Sequence, residues 1–245
     1  MDKRERVTKQ IGKGGKLMNF KINRQENLES FEVPFESSTL LKALYHIKNN
    51  EDNSLTFSSN CRSGVCGTCA VRVNGKEVLA CAYTLQEADL VEPLAYHEVQ
   101  RDLKVNKQKV RETLRTSTAW LQSSQEATIT EQQVALTEKQ SDCILCDSCY
   151  SSCPVLEVNQ NFIGPFALTR AYRYTSDPRE GDIQAIIDNI QTNGIWDCTL
   201  CGNCTEVCPQ GIDPKMDITM LRSTASQFGY TDPNFQAMDF GFGGF

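Results

Sequence analysis

Twelve cysteines, and the intervals between them, carry the chemistry of this chain. Cys61-x4-Cys66-x2-Cys69, closed by Cys81, has the spacing with which four thiolates hold a plant-type 2Fe–2S cluster. Cys143-x2-Cys146-x2-Cys149-x3-Cys153 leads into Pro154, and Cys198, Cys201, Cys204 and Cys208 repeat that spacing ahead of Pro209. Such runs hold 4Fe–4S clusters, and the fourth cysteine of each run ligates the other cluster where two are present. One 4Fe–4S set is therefore Cys143, Cys146, Cys149 and Cys208. The other is Cys153, Cys198, Cys201 and Cys204, and no cysteine is left over. Three redox centres in one chain imply conduction of electrons. The crossed ligation also ties distant parts of the chain together, so cluster assembly and folding should be coupled.

Competing chemistries fit less well. Zinc also takes four cysteines, but zinc knuckles use paired CxxC elements, which the step from Cys61 to Cys66 does not match. Disulfides would consume the thiolates that iron needs, and these spacings are of the metal type. No G-x-G-x-x-G fingerprint, nucleophile elbow or coherent acid–base pair is present, so no catalytic residue is assigned. Gly12-Lys13-Gly14-Gly15 resembles a phosphate loop only in composition. The two histidines, His46 and His97, are expected in ordinary surface roles, and Trp196 in packing near a cluster.

The elements that must position these thiolates divide the chain into an α+β arrangement. Phe20 and Ile22, then Phe31, Val33 and Phe35, alternate with polar residues as half-buried strands do. Ser37 or Ser38 is placed to cap a helix carrying Leu40, Leu41, Leu44 and Ile47. Gly64 and Gly67 suit a loop that wraps a cluster closely. Asn74-Gly75 between apolar residues predicts a hairpin turn, and a last strand falls near Leu90–Leu94. This order predicts a β-grasp ferredoxin domain over 18–105, after a basic tail at 1–17. A polar helical connector over 106–140, with helix around Val110–Leu121, leads to an all-α domain of bacterial two-cluster ferredoxin type over 141–232. In it Gly164-Pro165 starts one helix, and Asp182 caps another that runs to about Ile190, with Asn193-Gly194 as its expected C-cap. Residues 233–245 form a tail for flexibility or partner docking.

The chain has 245 residues and a net charge of −6, which argues against bulk binding to nucleic acid. No window reaches the roughly 18 apolar residues that suggest a membrane span. The N-terminus has no apolar core of a signal peptide; Lys3, Arg4, Arg6, Lys9, Lys13 and Lys16 make it basic. The expected place is the cytoplasmic side of a membrane, held there through other subunits. Piggyback export on a partner stays open.

CRSGVCGTCAVRVNGKEVLAC, CILCDSCYSSCPVL, NFIGPFALTRAYRYTSDPR and NGIWDCTLCGNCTEVCPQGIDP together resemble the iron–sulfur subunit of succinate dehydrogenase and fumarate reductase, over nearly all of 18–214. The resemblance implies a non-catalytic electron-transfer subunit. It implies a flavoprotein partner that holds covalent FAD and the dicarboxylate site, and a membrane-side partner that exchanges electrons with quinone. The 2Fe–2S centre then faces the flavin and the last cluster the quinone. Most members lack a cysteine where Cys201 stands and hold a 3Fe–4S centre with the equivalents of Cys153, Cys198 and Cys204; a minority have the extra cysteine. Here Cys201 predicts a full 4Fe–4S centre of lower potential, which favours a low-potential quinol donor and fumarate reduction. Leu156-Glu157-Val158 stands where ubiquinone-using members carry tryptophan, and Thr199 where many carry histidine, so no quinone site is carried over beyond Pro154 as a lining candidate. The alternatives are a fumarate reductase fed by a thiol or soluble donor and, in another class, a redox-sensing iron–sulfur protein.

Overall fold

The computed structural model describes residues 17–25, 27–34, 38–117 and 120–233. The basic N-terminal residues, the glycine-rich stretch at 12–15, Phe35, Ser37 and the phenylalanine-rich C-terminus lie outside them. The chain forms two compact units. One comprises residues up to Lys107 together with Ile144–Ser152; the other comprises Gln108–Cys143 and Cys153 onward.

The first unit is built on a five-stranded sheet ordered β2-β1-β5-β3-β4. Strands β1 (Met18–Arg24) and β2 (Asn27–Val33) are antiparallel, with Phe20 opposite Phe31. Met18, Phe20 and Ile22 point into the core while Asn19 and Lys21 face water, as the alternation predicts. Helix α1 (Leu40–Asn50) buries Leu40, Leu41, Leu44 and Ile47. Its cap is Thr39, whose side chain accepts from the Lys42 N–H, in place of the predicted serine. The physical reason is a bridge between Thr39 and Thr84, which keeps the backbone extended one residue further. Strands β3 (Ala70–Val73) and β4 (Lys76–Leu79) form the predicted hairpin, with Asn74 at φ 52° and Gly75 at φ 79°. Strand β5 (Leu90–Glu92) lies between them and β1, parallel to β1. That parallel return, with the helix between, is the β-grasp arrangement.

A second hairpin was not legible in the sequence: β6 (Glu98–Arg101) with β7 (Lys104–Asn106). Every residue of β6 is exposed, so no alternation marks it. It is anchored instead by Asp102 at its turn, which accepts from Arg24 Nε at 3.1 Å and from the Thr56 N–H at 2.8 Å. Arg24 also pairs with Glu29 and Asp52.

The second unit is helical. It contains α2 (Gln108–Thr116) and α3 (Glu131–Ser141), the latter closed by a Thr130–Gln133 capping box. The first unit supplies a single-turn helix α4 (Ser148–Ser151), and the second continues with α5 (Val155–Val158). Helix α6 (Pro165–Thr175) starts at Pro165 as predicted, and α7 (Ile183–Asn189) is capped by Asp182 through the Ala185 N–H. The helix ends with Ile190 as its C-cap, so Asn193-Gly194 lies in the turn beyond it, where Asn193 takes the left-handed conformation. Asn193 is held there by the Ile163 N–H on its carbonyl and by the Asn159 amide on its side chain. A one-turn α8 (Asn203–Glu206) and α9 (Pro214–Gln227) complete the unit. Leu168, Ala171, Ile186, Ile187, Ile218 and Leu221 form its fully buried core. Among the described residues no helix is long and apolar enough to cross a membrane.

Candidate iron–sulfur centres

Between α1 and β3 the chain must bring three cysteines inward within nine residues. Arg62 (φ 61°), Gly64 (φ 79°) and Gly67 (φ 68°) reverse its handedness three times. The Ser63 N–H is thereby aimed at the Cys61 sulfur, at 3.4 Å. That N–H, and the neighbouring Cys66 thiol, pull the Cys61 pKa down to about 6. Cys69 lies deeper, and burial pushes it up to about 11, with Cys81 and Cys66 close enough to contribute. All four predicted residues therefore interact in one place: Cys61, Cys66 and Cys69 on the loop, and Cys81 two residues past β4. Arg62 lies 5.0 Å from the centre of the Tyr45 ring, and the Tyr45 hydroxyl is 2.6 Å from Ser59 Oγ, which fixes the start of the loop.

The two later runs share one local design. In the first, Leu145 (φ 50°) and Asp147 (φ 69°) flank Cys146; in the second, Leu200 (φ 55°) and Gly202 (φ 90°) flank Cys201. A one-turn helix follows in each case, α4 or α8. Successive left-handed residues turn backbone N–H groups toward a common concavity, which suits an anionic cluster. The Leu200 N–H points at the Cys198 sulfur at 3.4 Å in this way.

Within the helical unit, Cys153, Cys198, Cys201 and Cys204 come together. Burial raises Cys153 to about 11 and Cys204 to about 12, and each feels the charge of Cys198 and Cys201. Cys198 is raised by burial too, opposed by the Leu200 N–H and the charge of Arg222. Within the N-terminal unit Cys146 is 8% exposed and likewise raised by burial, while its sulfur lies 3.4 Å from Ser148 Oγ. Thiols held so far above neutrality do not ionise without a cation, and a metal supplies that drive. Two sets of four neighbouring thiols, some buried and some with N–H groups aimed at sulfur, fit iron–sulfur clusters. Among the described residues no three His, Cys, Asp or Glu side chains converge as they would on a single ion; in a four-iron cluster each thiolate meets a different iron.

Several supporting residues had no signal in the sequence. Arg222, on α9, donates to the carbonyls of Ile195 and Cys198 at 2.8 and 2.6 Å and lies over the Trp196 ring. Trp196 itself donates to Gln191 Oε1 at 2.7 Å, in keeping with a packing role. Lys107 binds the Cys146 carbonyl at 2.9 Å and the Asp147 carboxylate at 3.1 Å. His97 is no surface residue: its side chain is 2% exposed, its Nδ1–H donates to the Ala95 carbonyl, and its Nε2 faces Asp147 at 3.4 Å. Such partners are set by long-range packing, which spacing along the chain does not encode.

Comparison with known proteins agrees with this geometry. Residues 16–112 match the 2Fe-2S iron-sulfur cluster binding domain family, and 139–212 match the 4Fe-4S dicluster domain family. The fumarate reductase iron-sulfur subunit of Haemophilus influenzae is 34% identical, over 82% of this chain and 87% of that protein. The 8-methylmenaquinol:fumarate reductase iron-sulfur subunit of Wolinella succinogenes is also 34% identical, over 86% of this chain and 74% of its own length. One of the subunits of the fumarate reductase (CoM/CoB) of Methanothermobacter marburgensis is 32% identical over 87% of this chain, which spans 44% of that protein. A chain of the Mycobacterium smegmatis Sdh1 complex shares the fold, with a TM-score of 0.78 over 90% of this chain at 21% identity.

Fold and thiol groups together define a two-domain iron–sulfur protein, a 2Fe–2S ferredoxin domain followed by a helical 4Fe–4S domain. The chain belongs to the iron–sulfur subunits of the fumarate reductase and succinate dehydrogenase family, and is a non-catalytic electron-transfer subunit of an oxidoreductase.

Proposed function

We propose that this subunit relays electrons between a FAD-bearing subunit, where succinate and fumarate interconvert, and a membrane-associated partner on the quinone side. Cys61, Cys66, Cys69 and Cys81 hold the 2Fe–2S centre. Cys143, Cys146, Cys149 and Cys208 hold the first 4Fe–4S centre, by the ligand rule for paired runs. Cys153, Cys198, Cys201 and Cys204 hold the second. When bound, these groups supply one-electron carriers; the chain's residues hold them apart from water and set their surroundings. The observation that supports this reading is that Cys153, Cys198, Cys201 and Cys204 lie near enough to feel one another's charge, four thiols where a three-iron centre would need only three. A terminal 4Fe–4S centre favours fumarate reduction from a low-potential donor, and a menaquinol type is in line with the relative named for 8-methylmenaquinol. The subunit then works at a membrane surface through its partners, on the cytoplasmic side.

The test is succinate-dependent dye reduction, and the reverse reaction with fumarate, by the complex that co-purifies anaerobically with this chain. Iron analysis of that complex should give about ten irons per copy of this subunit. A co-purifying dehydrogenase of other chemistry, inactive with both acids, would refute the reading. A second reading, reduction by a donor other than quinol, is favoured by the similarity to the archaeal protein named for CoM/CoB. Activity of the complex with thiols and none with menaquinol analogues would establish it.

A further inference from the structure

The segment Ile144–Ser152 belongs to the N-terminal unit and lies against the 2Fe–2S loop at Gly67. A Cβ added to Gly67 would stand 2.7 Å from Cys146 Cβ, 2.8 Å from Cys146 Cα and 3.0 Å from the Ile144 carbonyl oxygen. Cβ atoms do not approach that closely, so only glycine lets the two backbones meet. The other loop glycine differs. Gly64 has a similar φ of 79°, against 68° at Gly67, yet nothing lies within 4 Å of where its Cβ would stand. Conformation therefore calls for glycine at both positions, and contact calls for it at Gly67 alone.

The contact is clamped from the other side. Lys107 holds the Cys146 carbonyl at 2.9 Å. Ser151 Oγ donates to buried Glu77 on β4 at 2.8 Å and accepts from the Ala95 N–H at 2.8 Å. Cys146 thus cannot drift away from the loop without breaking these bonds. Both neighbouring thiols are buried, Cys69 at 5% and Cys146 at 8% exposure, and both belong to one apolar core cluster.

We propose that Gly67 is the positioning residue for electron transfer between the first two centres. Resting on the cluster assignment above, its missing side chain brings the Cys66–Gly67 backbone against Cys146. Electrons tunnel faster through bonds than across gaps, so the route with one van der Waals jump, from Gly67 to Cys146, outruns routes with wider ones. One electron crosses per event, oxidising the centre on the Cys66 side and reducing the one on the Cys146 side, or the reverse. No bond is made and no proton moves.

The test compares Gly67→Ala with Gly75→Ala, a glycine of the same backbone hand in the β3–β4 turn outside the cluster loop, in the whole complex, purified anaerobically and reduced. Cluster occupancy is read by iron analysis and EPR spin count, and separation by the microwave power that half-saturates the 2Fe–2S signal, since a paramagnetic neighbour speeds its relaxation. At full occupancy Gly67→Ala should lower that power several-fold, and Gly75→Ala should leave it as in the unaltered protein. Unchanged relaxation in Gly67→Ala, or equal slowing in both variants, overturns the proposal. Should Gly67→Ala lose a cluster, the unaltered complex decides during a redox titration. Its 2Fe–2S signal must relax faster once the Cys146 centre is reduced, and a signal indifferent to that step overturns the proposal. Absence of 2Fe–2S or 4Fe–4S signals in the unaltered complex would instead sink the cluster assignment itself.

Discussion

At the scale of single residues, two side chains offer sharp tests. Cys201 is exposed, whereas Cys153 and Cys204 are buried, so among the four cysteines proposed for the last centre its loss disturbs packing least. Cys201→Ser should leave a 3Fe–4S centre on Cys153, Cys198 and Cys204 and raise its potential, with the other two centres intact. EPR of the oxidised variant reads this directly, and an unchanged spectrum would show that Cys201 is not a ligand. Asp217, on α9, is 2% exposed and has the Gln140 amide at 2.7 Å as partner. Burial, with Asp213 nearby, raises its pKa from 3.8 to about 6. Below pH 3.8 the group is protonated whether folded or not, so it costs nothing there. Through the window from 3.8 to 6 the folded chain keeps a proton that the unfolded chain has released, and stability falls as pH rises. Above 6 the carboxylate is buried as a charge, at a cost of about 3 kcal/mol. Asp217→Asn should therefore stabilise the protein at pH 8 and much less at pH 5, as urea midpoints at the two pH values would show. An equal effect at both pH values would refute the account.

At the scale of elements, what was legible in the sequence was what local chemistry decides. The alternation of Phe20 and Ile22, the Asn74-Gly75 turn, Gly164-Pro165 and the Asp182 cap each act within a few residues, and the structure has them as read. The spacing of cysteines was legible for the same reason, since a loop that wraps a cluster is short. Elements decided by distant partners were not. Thr39 displaced the predicted serine cap because of Thr84, and Ile190 displaced Asn193-Gly194 as the C-cap of α7, Asn193 being held in the next turn by Asn159 and Ile163. The β6–β7 hairpin exists because Arg24, 10% exposed in its side chain, binds Asp102 from seventy-eight residues away. Arg24→Leu leaves buried Asp102 with only the exposed Arg101, at 3.9 Å, as a cation and should destabilise the protein by about 3 kcal/mol. In an Asp102→Asn background the same change should cost clearly less, because the orphaned charge is gone. Chemical denaturation of the four proteins measures this coupling, and simple additivity would mean that Arg24 and Asp102 do not depend on each other.

At the scale of the whole molecule, the structure divides its stability between apolar packing and metal. The sheet with α1, and the set α6, α7 and α9, bury aliphatic side chains completely, among them Ile22, Leu44, Leu168, Ile186 and Leu221. The run at 198–208 has no comparable means: Cys204 is its one buried residue. Helices α4, α5 and α8 have four residues each, too short to stand alone in water. Around them thiols are pushed toward pKa values of 11 and 12 by burial, so without metal they stay protonated and repay nothing for being held together. Removal of iron should thus act locally. After anaerobic chelation, amide hydrogen exchange should quicken by orders of magnitude across 198–208, while 165–175 and 214–227 keep their protection, because local opening follows the loss of the contacts that closed each segment. Protons should be taken up during chelation, as thiolates freed from iron recover them at neutral pH. If 198–208 stayed as protected as α6 and α9, the run would be held by packing, and folding would precede cluster assembly. Loss of protection throughout the helical unit would mean that the cluster linking Cys153 to the 198–204 run organises the core as well as its own loop.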